Sequence, residues 1–300
     1  MLSEHHGADD GFIPAPLTMA GQITGRTKRL RVSIACLLAP VNDPIRIAEE
    51  MAVLDLGSRG RVSVVLGAGY RPDEFVMYGI ERSQRGRLLE EFVETLRKAW
   101  TGEPFEWRGR TVRVTPRPFT QPHPYIFLGG SAPASARRAA RLRIGFFPAV
   151  HDPELAALYR EECEKIGYKG AVFLPNLPGF VYVSSDPDRD WQRLAPYILH
   201  DAKTYADWQT PEVRSAFAVW ANDLEGIKGS GIYEVVTPDE CVALGERIGR
   251  KGSLTLHPLL AGMPPELGWE SLELFETEVL PRLTRRAVSP SAGPTRPSTT

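Results

Sequence analysis

Cysteine is scarce in this chain: only three of its 300 residues are cysteines, at positions 36, 163 and 241. They are far apart and odd in number, so they offer neither a disulfide framework nor the close spacing of metal-ligating cysteines. The histidines do not form an H-E-x-x-H motif either, so they give no sign of a zinc-binding helix. The chain is therefore predicted to be a reduced, cytoplasmic protein with no metal site.

Long apolar runs and an excess of one charge are also lacking. No stretch approaches the roughly 20 apolar residues that a membrane-spanning helix needs, and the first residues lack the basic start and apolar core of a signal peptide. The 36 basic and 37 acidic residues give a formal net charge of -1. That balance offers no electrostatic footprint for nucleic acid or for an anionic membrane, so neither partner is predicted.

What the chain does have is a repeated unit, in which a short apolar run, a break of small residues or proline, and an amphipathic helix follow each other. Six such units alternate strictly, which predicts a parallel sheet covered by helices. With 42% hydrophobic residues, the chain can form one barrel or two smaller domains. The predicted strands are 31–39, 61–66, 124–128, 144–148, 180–183 and 253–257.

Helix starts carry the clearest local signals. Four segments place a residue suited to capping directly before a proline, which favours the first helical position; one of them also fits a capping box. Ser131 is predicted to cap a fifth helix. Further helices are predicted over 84–100 and 265–283, and 222–234 is expected to be an irregular insertion. The four segments are Asp43-Pro44, Asp152-Pro153, Asp186-Pro187 and, with the capping box, Thr237-Pro-Asp-Glu240.

Several familiar kinds of site are disfavoured. Gly67-Ala-Gly69 begins like a dinucleotide-binding fingerprint, but Pro72 takes the place of its last glycine and no acidic residue follows at the required distance. In a barrel, catalytic groups gather at the carboxyl ends of the strands. Those ends carry no pair of acids and no G-x-S-x-G elbow. A metal-dependent hydrolase is disfavoured as well; its only candidate ligands are His5, His6, His151 and His257.

A series of short motifs runs in order from Glu4 to about Leu283. The motifs are Glu4-His5-His6, Thr27–Arg31, Pro40–Pro44, Ala48–Glu50, Leu54-Asp55, Ser58–Arg61, Gly67–Gly69, Asp73–Phe75, Gly79, Arg85, Glu91, Pro116–Pro118, Gln121-Pro122 and Gly129–Ser131. Each is short, but their order and spacing together resemble the bacterial luciferase-like monooxygenase family.

The resemblance implies an α/β fold, a (β/α)8 TIM-type barrel. Met1 to His6 would then supply only the end of the second strand, so the chain is expected to lack the first strand and helix. The barrel domain is expected over 1–284, incomplete at its N-terminus, with a disordered tail rich in Pro, Ser, Thr and Arg over 285–300. A misplaced start site or a truncated gene would explain this, and a truncated product is expected to be inactive.

The resemblance also implies the chemistry. The expected activity is that of a flavin-dependent monooxygenase that uses reduced FMN and O2 on a small organic substrate, with a separate flavin reductase as partner. Two alternatives stay open: an F420-dependent reductase or dehydrogenase, and a flavin-binding subunit without turnover. A homodimer is expected.

The resemblance assigns site residues at the ring of the cofactor. His5 matches a base, since an imidazole can relay protons near neutral pH; His6 is expected to pack or hydrogen-bond. Ala35-Cys36 matches a cis peptide beneath the flavin ring, the alternative being an ordinary buried strand. Gly67, Gly69 and Tyr70 are expected to border the ring.

The cofactor phosphate is assigned to Gly129, Gly130 and Ser131 before a helix, where backbone N–H groups can bind it. Arg85 or Arg87 is expected to pair with it. The chain departs from the luciferase subunit at three positions. Ala68 replaces a phosphate-binding arginine, Gly130 an acidic residue and Gly67 a reactive cysteine, so thiol chemistry is not expected.

Overall fold

A computed structural model describes residues 1–175, 177–210, 214, 217, 219–221, 223–249 and 252–288. Two compact units make up the chain. We call Met1–Pro175 with Trp208–Ser215 the N-terminal unit, and Asn176–Asp207 with Ala216–Thr300 the C-terminal unit.

The N-terminal unit is built on a four-stranded parallel sheet with strand order β1-β2-β5-β6. Single parallel bridges add Leu2 beside β1 and Val172 beside β6. Strand β2 is buried over most of its length, as expected of a parallel strand covered on both faces. The strands are β1 Val32–Leu38, β2 Val62–Gly67, β3 Phe105–Trp107, β4 Arg110–Val112, β5 Tyr125–Gly130 and β6 Gly145–Pro148.

The described residues of this unit form the helices α1 Pro16–Arg26, α2 Pro44–Ser58, α3 Pro72–Met77, α4 Arg85–Ala99, α5 Pro133–Arg141 and α6 Pro153–Lys165. The predicted caps at Asp43 and Asp152 are confirmed, because each carboxylate accepts two backbone N–H groups of the first turn. Helix α4 is held on α2 by Trp100, whose fully buried indole donates to the carbonyl of Ala48.

Helices α1 and α3 and strands β3 and β4 were not predicted. Helix α1 contains two glycines, and α3 has only six residues, so neither shows a clear apolar period. Strands β3 and β4 form an antiparallel hairpin whose two-residue turn places Arg108 and Gly109 at positive φ. The prediction for Met1 to His6 is met only in part, since Leu2 alone bridges to Ile34.

In the C-terminal unit, β7 Phe180–Val183 pairs in parallel with β8 Tyr233–Val236. The capping box at Thr237 is confirmed. Residues Phe275–Val279 form a π-helical turn between the last two helices. The helices are α7 Pro187–Asp207, α8 Leu224–Lys228, α9 Pro238–Ile248, α10 Pro265–Leu274 and α11 Leu280–Val288.

Three boundaries in this unit differ from the predictions. The expected strand 253–257 is a single bridge from Leu256 to Val181. The expected irregular insertion 222–234 contains α8 and the start of β8, a strand whose short apolar run is interrupted by Glu234. Helix α11 continues to Val288, past the expected domain end at 284. The rest of the predicted tail, 289–300, lies outside the described residues.

Candidate active site

The carboxyl ends of three neighbouring strands meet around Cys36. The Ala35–Cys36 peptide bond is cis, as the resemblance implied, and the β1–β2 register shifts between Ala35 and Leu37. A Cβ atom added at Gly67 would lie 2.9 Å from Cys36 Cβ, and one added at Gly129 would lie 2.8 Å from Cys36 Sγ. Both glycines therefore make room for the cysteine, and we call Cys36, Gly67 and Gly129 the strand-end floor.

The Cys36 thiol stays neutral in these surroundings. Burial, assisted by the negative charge of Glu4, raises its pKa to about 12. A thiolate, the nucleophilic form, is therefore scarce at neutral pH. Cys36 therefore fits the interpretation of a small packing residue. At the position of the luciferase subunit's reactive cysteine, this chain has Gly67 and so no thiol.

Gly69 and Tyr70 follow β2 directly. Gly69 has φ +73°, and a Cβ atom there would lie 2.9 Å from the ring of Phe75, so the chain needs glycine at this turn. Burial and the nearby Glu74 carboxylate raise the pKa of the Tyr70 hydroxyl. That hydroxyl is buried and has no hydrogen-bond partner among the described residues.

His5 lies in an aromatic enclosure and is only 7% exposed. Its ring centroid is 4.8 Å from that of Phe12, 4.8 Å from that of Trp208 and 6.4 Å from that of Tyr70. His5 Nδ1 lies 3.5 Å from Glu74 Oε1. The structure thus gives the predicted base a carboxylate neighbour and protection from water.

Glu74 and Arg71 are site residues that the sequence analysis did not single out. Glu74 is 1% exposed; its Oε1 accepts the backbone N–H of His6 at 3.1 Å and lies 3.4 Å from Arg71 Nη1. The Arg71 guanidinium also donates to the His6 carbonyl at 2.9 Å and stacks 4.0 Å from the Trp208 ring centroid. Glu74 Oε2 is buried without a hydrogen-bond partner among the described residues. The only sequence signal was the Asp73–Phe75 motif.

His6 hydrogen-bonds on both ring nitrogens, in line with its predicted role. Nε2 lies 3.1 Å from Glu4 Oε1, and Nδ1 lies 3.0 Å from the Tyr78 hydroxyl. The other Glu4 oxygen accepts the backbone N–H of Leu38. The Asn42 side chain donates to Glu4 Oε1 at 3.1 Å. Glu4 therefore ties the N-terminal segment to the end of β1.

The predicted phosphate site lies where β5 leads into α5. Gly130 has φ +144°, and a Cβ atom there would overlap the Ser135 hydroxyl. The prediction that Ser131 caps α5 is wrong: the N-cap is Ala132, and no side chain caps this helix. The Ser131 hydroxyl instead accepts the backbone N–H of Arg214 at 2.9 Å. Because no side chain makes a capping hydrogen bond at the start of α5, the site remains compatible with an anionic group.

An arginine that the sequence did not point to, Arg214, lies beside this site. The Arg214 guanidinium donates to Asp152 Oδ2 at 2.6 Å and to the Ser131 carbonyl at 3.3 Å. Arg85 is the first residue of α4, and Arg87 bonds to side chains of its own helix segment, Gln84 and Glu91. The structure therefore brings Arg214 next to Ser131, and the pairing of Arg85 or Arg87 with the phosphate stays a prediction.

Histidine clustering does not define a metal centre. His151 Nδ1 lies 2.7 Å from the Pro175 carbonyl oxygen on an exposed surface, and His257 belongs to the C-terminal unit. Across the described parts of the chain, no three His, Cys, Asp or Glu side chains are grouped so as to hold a metal ion.

With the geometry known, comparison with known proteins identifies the family. The family model for luciferase-like monooxygenases matches residues 1–244. The chain belongs to the luciferase-like monooxygenase family. The matched region includes the N-terminal histidines, the strand-end floor and the start of α5.

Two curated relatives of this family match over part of their length. An uncharacterised protein of Mycobacterium tuberculosis is 35% identical over 121 residues, which cover 39% of this chain and 43% of that protein. The FMNH2-dependent dimethylsulfone monooxygenase of Pseudomonas putida is 31% identical over 150 residues, covering 47% of this chain and 40% of that protein. The matched segments thus span less than half of either relative.

Solved structures of luciferase-like proteins match over nearly the whole chain. Monooxygenase RslO1 from Streptomyces bottropensis has a TM-score of 0.70 and 25% identity, covering 93% of this chain and 86% of that one. An F420-dependent secondary alcohol dehydrogenase has a TM-score of 0.63 and 18% identity, covering 89% and 83%. These matches confirm the luciferase-like (β/α)8 fold. No helix in the described ranges has both the length and the apolar character needed to cross a membrane.

Proposed function

We propose that the chain is a flavin-dependent monooxygenase that uses reduced FMN and O2 on a small organic substrate, with His5 as its base. The observation that carries the proposal is the placement of His5. The predicted base is almost fully buried among aromatic rings and lies 3.5 Å from a buried carboxylate. A positioned imidazole in a water-poor enclosure suits proton transfer near neutral pH.

The residues present fit a flavin. Ala35-Cys36, Gly67, Gly69 and Tyr70 would border the ring, and Gly129, Gly130 and Ser131, with Arg85, would hold the phosphate. Two observations support the fit: the buried Tyr70 hydroxyl and Glu74 Oε2 lack partners among the described residues, and no side chain caps α5. Buried polar atoms in native proteins normally find partners, so a polar ligand at this point would complete their hydrogen bonding. When bound, the reduced flavin supplies the electrons that activate O2.

The protein's own residues would transfer the proton, orient the His5 ring and exclude water. His5 accepts or returns a proton through its ring nitrogens, and Glu74, 3.5 Å from Nδ1, orients the ring. Arg71 holds Glu74 in place and packs on Trp208. Phe12 and Trp208 exclude water from the imidazole, which strengthens these electrostatic interactions.

A deazaflavin is the second candidate cofactor. The F420-dependent secondary alcohol dehydrogenase shares the fold, and Ala68 leaves this chain without the phosphate-binding arginine of the luciferase subunit. In that case His5 would serve a hydride-transfer reaction without O2. The FMN-dependent relative, which has the higher sequence identity, makes FMN the favoured cofactor. A flavin reductase would supply it in the cytoplasm, where the three free thiols persist.

The proposal is tested by mixing the protein with reduced FMN or reduced F420 and measuring O2 consumption with a panel of small organic substrates. We expect consumption coupled to product formation with FMN. In the His5→Ala variant, turnover should fall by about 10²–10⁴-fold, whereas His151→Ala, on the exposed surface, serves as the matched control. Hydride transfer with F420 would overturn the monooxygenase assignment; FMN binding without any turnover would indicate a non-catalytic subunit.

A further inference from the structure

The buried groups around the two N-terminal histidines carry an unbalanced charge. With both carboxyl groups ionised and both imidazoles neutral, Glu4 and Glu74 contribute two negative charges, and among the described residues shown in contact with them Arg71 contributes one positive charge. All three side chains are almost fully buried. A buried cluster with one excess negative charge favours the uptake of one proton, because an isolated charge is costly away from water.

Three further titratable side chains face this cluster in the described part of the chain. Burial raises the pKa values of Cys36, Tyr70 and Tyr78, and neighbouring carboxylates raise them further, so all three stay neutral at neutral pH. The extra proton must therefore sit on a carboxylate or an imidazole. The facing groups are Glu4, His5, His6, Cys36, Tyr70, Arg71, Glu74 and Tyr78.

Geometry selects one of the two histidine–glutamate pairs as the place for the proton. His6 Nε2 lies 3.1 Å from Glu4 Oε1, within hydrogen-bond distance, whereas His5 Nδ1 lies 3.5 Å from Glu74 Oε1. Arg71 already stands 3.4 Å from Glu74 and offsets its charge. In contrast, Glu4 receives only neutral donors besides His6, from Leu38 and Asn42. Burial also raises the pKa of Glu4, despite the lowering effect of these hydrogen bonds.

Tyr78 gives this pair a connection to solvent. Its hydroxyl lies 3.0 Å from His6 Nδ1, and 41% of the residue is exposed. A proton can move inward by three shifts along existing contacts: the Tyr78 hydroxyl proton passes to Nδ1, the Nε2 proton passes to Glu4 Oε1, and the phenolate takes a proton from water. The reverse sequence returns the proton to solvent.

We propose that Glu4 and His6 hold one shared proton, which is exchanged with solvent through Tyr78. The pair is then electrically neutral at neutral pH, and the whole cluster is balanced. One consequence rests on the proposed function: because the Glu4–His6 pair takes up the balancing proton, the contact of 3.5 Å between His5 Nδ1 and Glu74 is left for the proposed proton transfer. Glu4, His6 and Tyr78 are thus positioning residues for His5.

A count of net charge tests the shared proton without any flavin. Replacing an ionised glutamate by glutamine ordinarily raises the net charge by one, and we expect this for the exposed Glu103→Gln control, measured by capillary electrophoresis at neutral pH. Glu4→Gln should leave the net charge unchanged, since it removes one negative charge together with the proton that balanced it. A rise of one in Glu4→Gln, equal to that of the control, would overturn the proposal.

Two further measurements test the shared proton and its route independently of Glu4→Gln. If Glu4→Gln does not fold, the carbon-13 shift of the Glu4 carboxyl and the nitrogen-15 shifts of the His6 ring in the intact protein report the proton directly; an ionised carboxylate beside a neutral imidazole would contradict it. Tyr78→Phe should keep the net charge but slow hydrogen exchange at the His6 ring at least several-fold, and an unchanged rate would refute the route. Since these readouts need no flavin, their failure leaves the proposed function standing, whereas absent binding of reduced FMN would refute that function alone.

Discussion

Replacing Gly129 by alanine tests the strand-end floor at the atomic level. The added methyl group would lie 2.8 Å from Cys36 Sγ and 3.2 Å from Val65 Cγ1. Gly129 does not have a positive φ, so the backbone itself can accept alanine. Any loss of stability must therefore come from the contact with these side chains.

The expected change in the free energy of unfolding of Gly129→Ala follows from two opposing effects. Alanine in place of glycine at a compatible position stabilises by about 0.4–1 kcal/mol, because it restricts the unfolded chain. Overpacking a tight site costs about 1–3 kcal/mol. We expect the overpacking to prevail at Gly129, with a net loss of about 1–2 kcal/mol in the free energy of unfolding. Gly57 in α2, where nothing lies within 4 Å of an added Cβ, should show only the stabilising effect.

Urea denaturation of single and double variants gives the assay. Cys36→Ala removes the sulfur that the Gly129→Ala methyl meets, so the double variant should recover about 1 kcal/mol of the loss. Gly67→Ala provides the matched control, because its methyl would lie 2.9 Å from Cys36 Cβ, an atom that alanine retains; Cys36→Ala should not rescue it. Equal rescue of both glycine variants, or no cost at Gly129, would refute this account of the floor.

Three further predictions concern stability. Burial raises the pKa of Glu4 above its ordinary value of 4.5, so the folded state favours the protonated form. The contribution of Glu4 is then complete below about pH 4.5 and is lost as the pH rises through the higher folded-state pKa. The stability of wild type relative to Glu4→Gln should fall along that pH range in urea titrations, and a rise would contradict the burial argument. Asp55→Ala should cost about 1–3 kcal/mol, because the buried carboxylate accepts both the backbone N–H and the hydroxyl of Thr120; a loss below about 0.5 kcal/mol would show that these bonds contribute little. Thr237→Ala should cost about 1 kcal/mol through loss of the capping box, whereas Thr237→Ser, which keeps the hydroxyl, should cost much less.

The helix starts at Asp43 and Thr237 were predictable because their signals are local, whereas α5 lacks a side-chain cap and its predicted cap at Ser131 was wrong. The Asp43 carboxylate bonds to amides two and three residues away, and the Thr237 box closes over three residues. The order of strands and helices likewise follows from apolar runs and breaks within short windows. Strand β8 was missed because Glu234 interrupts its short apolar run, and its partner β7 lies some fifty positions earlier in the chain.

The active-site cluster was predictable only in part. Its first member, His5, came from the family resemblance, but the groups that surround it come from distant parts of the chain. His6 and Glu74 are 68 positions apart, and His6 and Tyr78 are 72 positions apart. No local pattern encodes which carboxylate will face which imidazole. Trp208 and Arg214 likewise belong to the N-terminal unit, although the chain segments before and after them belong to the C-terminal unit.

Anaerobic calorimetry with reduced FMN tests the central claim, that the ends of β1, β2 and β5 form a flavin site, most directly. Wild type and the Gly57→Ala control should bind reduced FMN with equal affinity, and Gly129→Ala, measured where it remains folded, should bind at least tenfold more weakly. Absence of binding by a folded wild-type chain would contradict the claim, as would equal binding by the Gly129→Ala variant.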